Sequence, residues 1–156
     1  MTNAPSETFC ILPWIHFATR PNGDMRLCCS ANASGAGSDH EVGIIKKEDG
    51  TPANFGKDTP MSAWNNEYMK SVRTTMLKGQ IPVSCRKCFQ EEKVGVVSKR
   101  IWETGTWHKD GVDIHELIKQ TKEDGTVTIR DRDTMSQERI PAKEALQIVQ
   151  ERLVES

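Results

Sequence analysis

Apolar and polar residues follow one another in short runs that predict a small α+β fold. Residues 15–20 and 25–28 are two β-prone runs. Asn22-Gly23 lies between them and favours a tight hairpin turn, because both residues tolerate positive φ. A short third strand is expected at residues 41–45. The first third of the chain is therefore predicted to be a β-hairpin with flanking loops.

The middle of the chain has the three- and four-residue apolar spacing of amphipathic helices. One helix is predicted to begin at Pro60, with Thr59 as its N-cap, and to end before Gly79. A shorter helix is expected within residues 89–100, and Asp113 is placed to cap another. The apolar stripe of the first helix consists of Met61, Trp64, Tyr68, Val72 and Met76, and that of the last of Ile114, Leu117 and Ile118.

The pattern changes beyond Trp102, which indicates a second unit. Residues 126–130 alternate as a strand does, and Pro141 is predicted to open a final amphipathic helix. We therefore divide the chain into an N-terminal domain at residues 1–100 and a C-terminal α/β extension of unassigned role at residues 101–156.

Composition narrows the classes of protein that fit. Apolar residues make up 36% of the 156 residues and charged residues 28%, so the core is lean, and a metal or partner would help to offset the entropy of ordering the chain. The net charge of −1 provides no general attraction for nucleic acids or anionic membranes. No run approaches the roughly 20 apolar residues of a membrane span, and no signal peptide is recognisable, so we expect a cytoplasmic protein.

Five cysteines in such a protein favour metal or redox chemistry over structural disulfides. Cys10 and Cys28 flank the predicted hairpin, where Gly23 would turn the second strand back toward the first. Cys85 and Cys88 form a Cys-x2-Cys pair after the main helix. These four are the predicted metal ligands, with Cys29 as the alternative to Cys28, because adjacent strand residues point to opposite faces.

Spacing alone leaves the kind of centre open. Tetrahedral thiolate coordination suits one Zn²⁺ and a 4Fe–4S cluster equally well. A thioredoxin-like redox couple at Cys85 and Cys88 is the third reading, but the surroundings lack its βαβ pattern and the other cysteines would have no role. Arg86 and Lys87, between two ligands, would either offset the charge of a thiolate centre or be solvated.

A series of short motifs closely resembles the SPASM/twitch domains that accompany radical S-adenosylmethionine enzymes. The resemblance covers residues 9–100. Its motifs are, in chain order, Phe9-Cys10-Ile11-Leu12-Pro13-Trp14-Ile15-His16, Pro21-Asn22-Gly23-Asp24, Cys28-Cys29, Ala63-Trp64-Asn65, Met69-Lys70, Val72-Arg73, Met76-Leu77, Gly79, Pro82, Cys85-x2-Cys88 and Gly95-x2-Ser98-x-Arg100.

The resemblance implies one auxiliary 4Fe–4S cluster on Cys10, Cys28, Cys85 and Cys88, used for electron relay or substrate anchoring. No Cys-x3-Cys-x2-Cys motif is present, so the chain is not expected to be catalytic alone. The partner would be a radical S-adenosylmethionine core protein or a peptide or protein substrate, with no nucleic acid and no membrane. The alternative is a zinc-stabilised four-cysteine interaction domain without redox chemistry.

Overall fold

The computed structural model describes residues 4–31, 42–123, 126–130 and 137–141, and these form a small α+β structure as predicted. No helix among them is long and apolar enough to cross a bilayer. The elements are α1 (Leu12–Ile15), β1 (Ala18–Thr19), β2 (Met25–Arg26), α2 (Pro60–Trp64), α3 (Glu67–Leu77), a 3-10 turn (Val83–Cys85), α4 (Arg86–Lys93), α5 (Lys99–Lys109), α6 (Ile114–Glu123), β3 (Thr126–Arg130) and β4 (Gln137–Pro141).

The predicted N-terminal hairpin is present but shorter than expected. β1 and β2 are antiparallel, and Gly23 has a φ of 89° in the turn between them. Ile15 belongs to α1 instead of a strand, because Pro13 suits the first turn of a helix. The third strand expected at residues 41–45 is reduced to a single antiparallel bridge between Ile44 and Arg26.

The long helix predicted from Pro60 is two helices. Thr59 is the N-cap as predicted, and its hydroxyl accepts from the backbone N–H of Ser62 at 3.2 Å. The side chain of Asn66 then caps a new helix by accepting from the backbone N–H of Met69 at 3.0 Å. The apolar spacing alone predicts one continuous helix. The capping side chain of Asn66, in the middle of the apolar stripe, divides it into two.

The helix expected within residues 89–100 is also divided differently. α4 ends at Lys93, Gly95 follows with a φ of 81°, and the hydroxyl of Ser98 caps α5. α6 begins as predicted, because Asp113 accepts from two backbone N–H groups of its first turn.

The strand predicted at residues 126–130 is confirmed as β3, which pairs antiparallel with β4. Pro141 is the last residue of β4. The helix predicted to follow Pro141 falls on residues 142–156, outside the described part of the chain.

The core is built around the segment at residues 8–14, on which helices from both halves of the chain pack. α1 contacts α3, α5 and α6. The apolar face of α6 belongs to the same buried cluster. The most deeply buried large side chains are Phe9, Ile11, Trp14, Met25, Leu27, Ile45, Met69 and Met76.

Gly43 gives a first test of this packing. Its φ is 82°, and a Cβ there would collide with the carbonyl of Ala31, so Gly43→Ala should cost about 3 kcal/mol of unfolding free energy. Gly50→Ala is the matched control, since its φ is 78° but nothing lies within 4 Å of the added carbon. It should cost only about 1 kcal/mol. Equal losses in urea unfolding would show that the Ala31 contact does not constrain the loop.

Candidate functional site

The structure brings the four predicted ligand cysteines to the wall of one small cavity of about 20 Å³. Cys10 immediately precedes the turn into α1, and Cys28 follows β2 after the hairpin. Cys85 ends the 3-10 turn, and Cys88 lies in the first turn of α4. All four are free thiols, and three of them are buried, Cys85 being half-buried. Residues up to 78 positions apart in the sequence therefore line one space.

Backbone N–H groups point at three of these sulfurs. Such donors stabilise negative charge on a thiolate and are typical of metal–thiolate centres. The donors are the N–H groups of Leu12 for Cys10, Ser30 and Ala31 for Cys28, and Arg100 for Cys88, while Ser84 contributes its hydroxyl to Cys85.

Burial outweighs these donors and keeps the metal-free thiols protonated. Loss of solvent raises the pKa of Cys28 to about 11 and that of Cys85 to about 12, and it raises the pKa of Cys10 and Cys88 as well. Because the folded-state pKa values exceed the ordinary value of 9.0, these thiols stabilise the metal-free fold below about pH 9. That stabilisation is lost as the pH rises through 11 to 12.

Two cationic residues that were not predicted as site residues also line the cavity. Lys99 and Arg100, in the first turn of α5, lie in its wall. Arg100 also binds Glu92 and donates to the carbonyl oxygen of Phe9 at 2.9 Å. The sequence feature that could have pointed to Lys99 and Arg100 is Ser98, because as the N-cap of α5 it places these two residues in the first turn of that helix. Arg86, for which the sequence left both roles open, is exposed, in agreement with the solvated alternative.

Cys29, the predicted alternative to Cys28, is exposed and does not line the cavity. The expected metal centre is not itself formed in the structure. Among the described residues, no group of three or more His, Cys, Asp or Glu side chains is arranged to hold a metal ion.

A second surface lies at the start of the C-terminal part of the chain. α6 buries Ile114, Leu117 and Ile118 against the core, which leaves its opposite face exposed. That face includes His115 and Lys119. The end of α5 adds further exposed polar side chains, His108 and Lys109. Ring nitrogens and ammonium groups here are available to a partner.

The comparisons with known proteins bear on this second surface. A family model described as an anticodon binding domain matches residues 106–152, which are 47 of the 156 residues. The match begins in α5 and includes α6, β3 and β4. No curated protein and no solved structure matches the chain.

This match overturns the function predicted from sequence. The matched family is described as an anticodon binding domain and not as a SPASM/twitch domain, so the resemblance to SPASM/twitch domains and the iron–sulfur accessory role in a radical S-adenosylmethionine reaction are wrong. As the function of the chain, the zinc-stabilised interaction domain offered as the alternative is corrected with them, while the match does not test metal binding by the cysteines. The predicted partners are corrected too, because a nucleic acid was excluded and the matched family is described as an anticodon binding domain.

The reason for the error is physical. Cysteine spacing, hairpin turns and capped helices are local solutions that unrelated small proteins share. The resemblance rested on residues 9–100 and used none of residues 106–152. Net charge could not expose the error, because a value for the whole chain does not describe any one surface.

The burial of the thiols predicts an alkylation order. In metal-free protein at pH 7.5, iodoacetamide should modify exposed Cys29 at least tenfold faster than the four cysteines of the cavity, which burial keeps protonated. Mass spectrometry of tryptic peptides over time measures each rate. If a cavity cysteine reacts as fast as Cys29, this geometry is contradicted. In urea-unfolded protein, all five cysteines should react at similar rates.

Proposed function

We propose that this chain binds tRNA through the unit that begins in α5. The observation that carries the proposal is the match of an anticodon binding domain to residues 106–152. Contact with the anticodon region is the corresponding expectation. The buried face of α6 supports it, because that face fixes the helix on the core while its polar face stays exposed.

Charge counting indicates what kind of RNA contact to expect. Residues 106–152 contain eight Lys and Arg and ten Asp and Glu, a net charge of −2. A surface of this charge does not gather RNA by long-range attraction, so a few placed donors must provide the binding. Lys109 and Lys119 are exposed cations of the described part of this segment.

Binding of tRNA should therefore depend on those two lysines and only weakly on salt. The double variant Lys109→Gln/Lys119→Gln should weaken tRNA binding about tenfold in fluorescence anisotropy. It should also reduce the slope of log K against log [salt] by about 2, if each lysine contacts one phosphate.

The matched control is Lys57→Gln/Lys78→Gln, which makes the same charge change at exposed positions outside the matched segment. Its affinity for tRNA should equal that of the unchanged chain. No measurable binding of tRNA by the unchanged chain, or equal losses in the two double variants, would refute the proposal.

A separate proposal concerns the cavity. We propose that Cys10, Cys28, Cys85 and Cys88 bind a metal cofactor, either one 4Fe–4S cluster or one Zn²⁺, which would stabilise the N-terminal fold beside the RNA-binding unit. The thiols, the N–H groups aimed at sulfur and the cations Lys99 and Arg100 all suit a negatively charged thiolate centre. Free thiols also favour a reducing compartment, and we propose the cytoplasm.

The size of the cavity indicates what loading requires. About 20 Å³ is enough for one water-sized guest, which needs about 10–15 Å³. A single zinc ion would require the cysteines to rearrange, since no group of three or more His, Cys, Asp or Glu side chains among the described residues is placed to hold a metal ion. A 4Fe–4S cluster would require the walls to move apart. Either metal would also displace thiol protons, which couples loading to pH.

Metal analysis of protein purified without oxygen tests this cofactor proposal. The unchanged chain and Cys29→Ser should carry either about four irons, with absorption near ~400 nm, or one zinc. Cys85→Ser should lose the metal and much of the thermal stability, because metal binding and folding are linked. A Cys85→Ser variant with unchanged metal content, or an unchanged chain that folds fully without metal after reconstitution, would refute it.

A further inference from the structure

A second pocket, separate from the cysteine cavity, lies where α3 meets α1 and α6. Its volume is about 230 Å³. Trp14 and Leu77 form its apolar part, and its polar lining comes from Asn65, Lys70, Arg73, Thr74 and Thr121. Among the described residues of this lining, two are cations and none is a carboxylate.

Arg73 is the unusual member of this pocket. It is 6% exposed, and each of its recorded hydrogen bonds goes to a neutral oxygen. Nε donates to the carbonyl of Pro13 at 2.7 Å, Nη1 to the side-chain oxygen of Asn65 at 2.5 Å, and Nη2 to the carbonyl of Trp64 at 3.0 Å. No carboxylate of the described residues forms an ion pair with it. Within the described part of the chain, a buried positive charge thus faces the pocket without a counter-charge.

The guanidinium also has donors to spare. It carries five N–H groups, and the three hydrogen bonds use three of them. Burial lowers the pKa of Arg73 to about 10, which reflects the cost of holding this charge away from water. A bound anion would occupy the remaining donors and offset the charge.

The other polar groups extend the same chemistry. Lys70 lines the pocket from the preceding turn of α3. Its Nζ forms a surface ion pair with Oε1 of Glu67 at 2.8 Å, and the Glu67 side chain is exposed. Thr74 adds a hydroxyl one residue after Arg73. A volume of about 230 Å³ is below the roughly 300–1,000 Å³ of sites for drug-sized ligands, so a small anionic group suits it.

We propose that the pocket formed by Lys70, Arg73, Thr74, Asn65 and Thr121 binds a phosphate group. A planar guanidinium next to an ammonium and a hydroxyl matches the several oxygens of phosphate. The group is either free phosphate, alone or as a small ester, or a backbone phosphate of RNA. Thr121 belongs to the segment that matches an anticodon binding domain, which makes the second source reachable. The site itself does not depend on the proposed RNA function.

Inorganic phosphate is the probe for the first experiment, with the full chain at pH 7.5. Phosphate should raise the melting temperature saturably, beyond the effect of sodium chloride at equal ionic strength, and isothermal titration should give one site per chain. An effect of phosphate no larger than that of sodium chloride would overturn the proposal.

Variants then locate the site. Lys70→Gln should weaken phosphate binding about tenfold, because it removes a charged donor from the pocket. Lys78→Gln makes the same charge change at an exposed residue just beyond α3 and should leave the affinity unchanged. Equal affinities in these two variants would overturn the assignment. Arg73→Lys keeps the charge but removes the fork of donors, and should abolish binding in protein whose circular dichroism is unchanged.

Competition with tRNA identifies the source of the phosphate. If phosphate at saturation weakens tRNA binding and Lys70→Gln does the same, the group is an RNA phosphate. If tRNA binding is indifferent to both, the pocket serves a free phosphate compound. If tRNA does not bind at all, the proposed function fails while the titration with phosphate still decides this site.

Discussion

The rest of the fold depends on the need to satisfy the backbone of residues 8–14 inside the core. The side chains of this segment are among the most buried in the protein, so its peptide groups lie away from water and need partners. Those partners are side chains of distant helices. Arg73 of α3 donates to the carbonyl of Pro13, Arg100 of α5 donates to that of Phe9, and Thr104 accepts from the N–H of Ile11. Apolar burial and these polar contacts therefore hold the same three elements together.

Both candidate sites arise from this arrangement. The segment carries Cys10 into the cysteine cavity, and its Trp14 forms a wall of the phosphate pocket. The arginines that secure its carbonyls also line the two spaces, Arg100 at the cysteines and Arg73 at the pocket. At Arg73, positive charge brought into the core to bind carbonyl oxygens is thereby left facing a cavity that suits an anionic group, whereas Arg100 is also paired with Glu92.

Much of the fold was predictable because its signals are local. The hairpin turn at Gly23, the caps at Thr59 and Asp113, and the apolar face of α6 each follow from residues a few positions apart. The breaks at Asn66 and Ser98 were missed, since a capping side chain interrupts a stripe without changing its spacing. The gathering of four cysteines was also predictable, but the wall formed by Lys99 and Arg100 was not, because it depends on how α5 packs. Function inferred from those local patterns was wrong, since they are shared by unrelated proteins.

The distances along the chain that these hydrogen bonds span affect how the protein is made. The segment at residues 8–14 is synthesised before its partners, which follow 60 positions later for Arg73 and 93 positions later for Thr104. At about 5–20 residues per second, translation needs roughly 5–20 s to reach Thr104. For that interval Phe9, Ile11 and Trp14 have no completed core to enter. The nascent chain therefore exposes the apolar side chains of residues 8–14 to chaperones before its core can form.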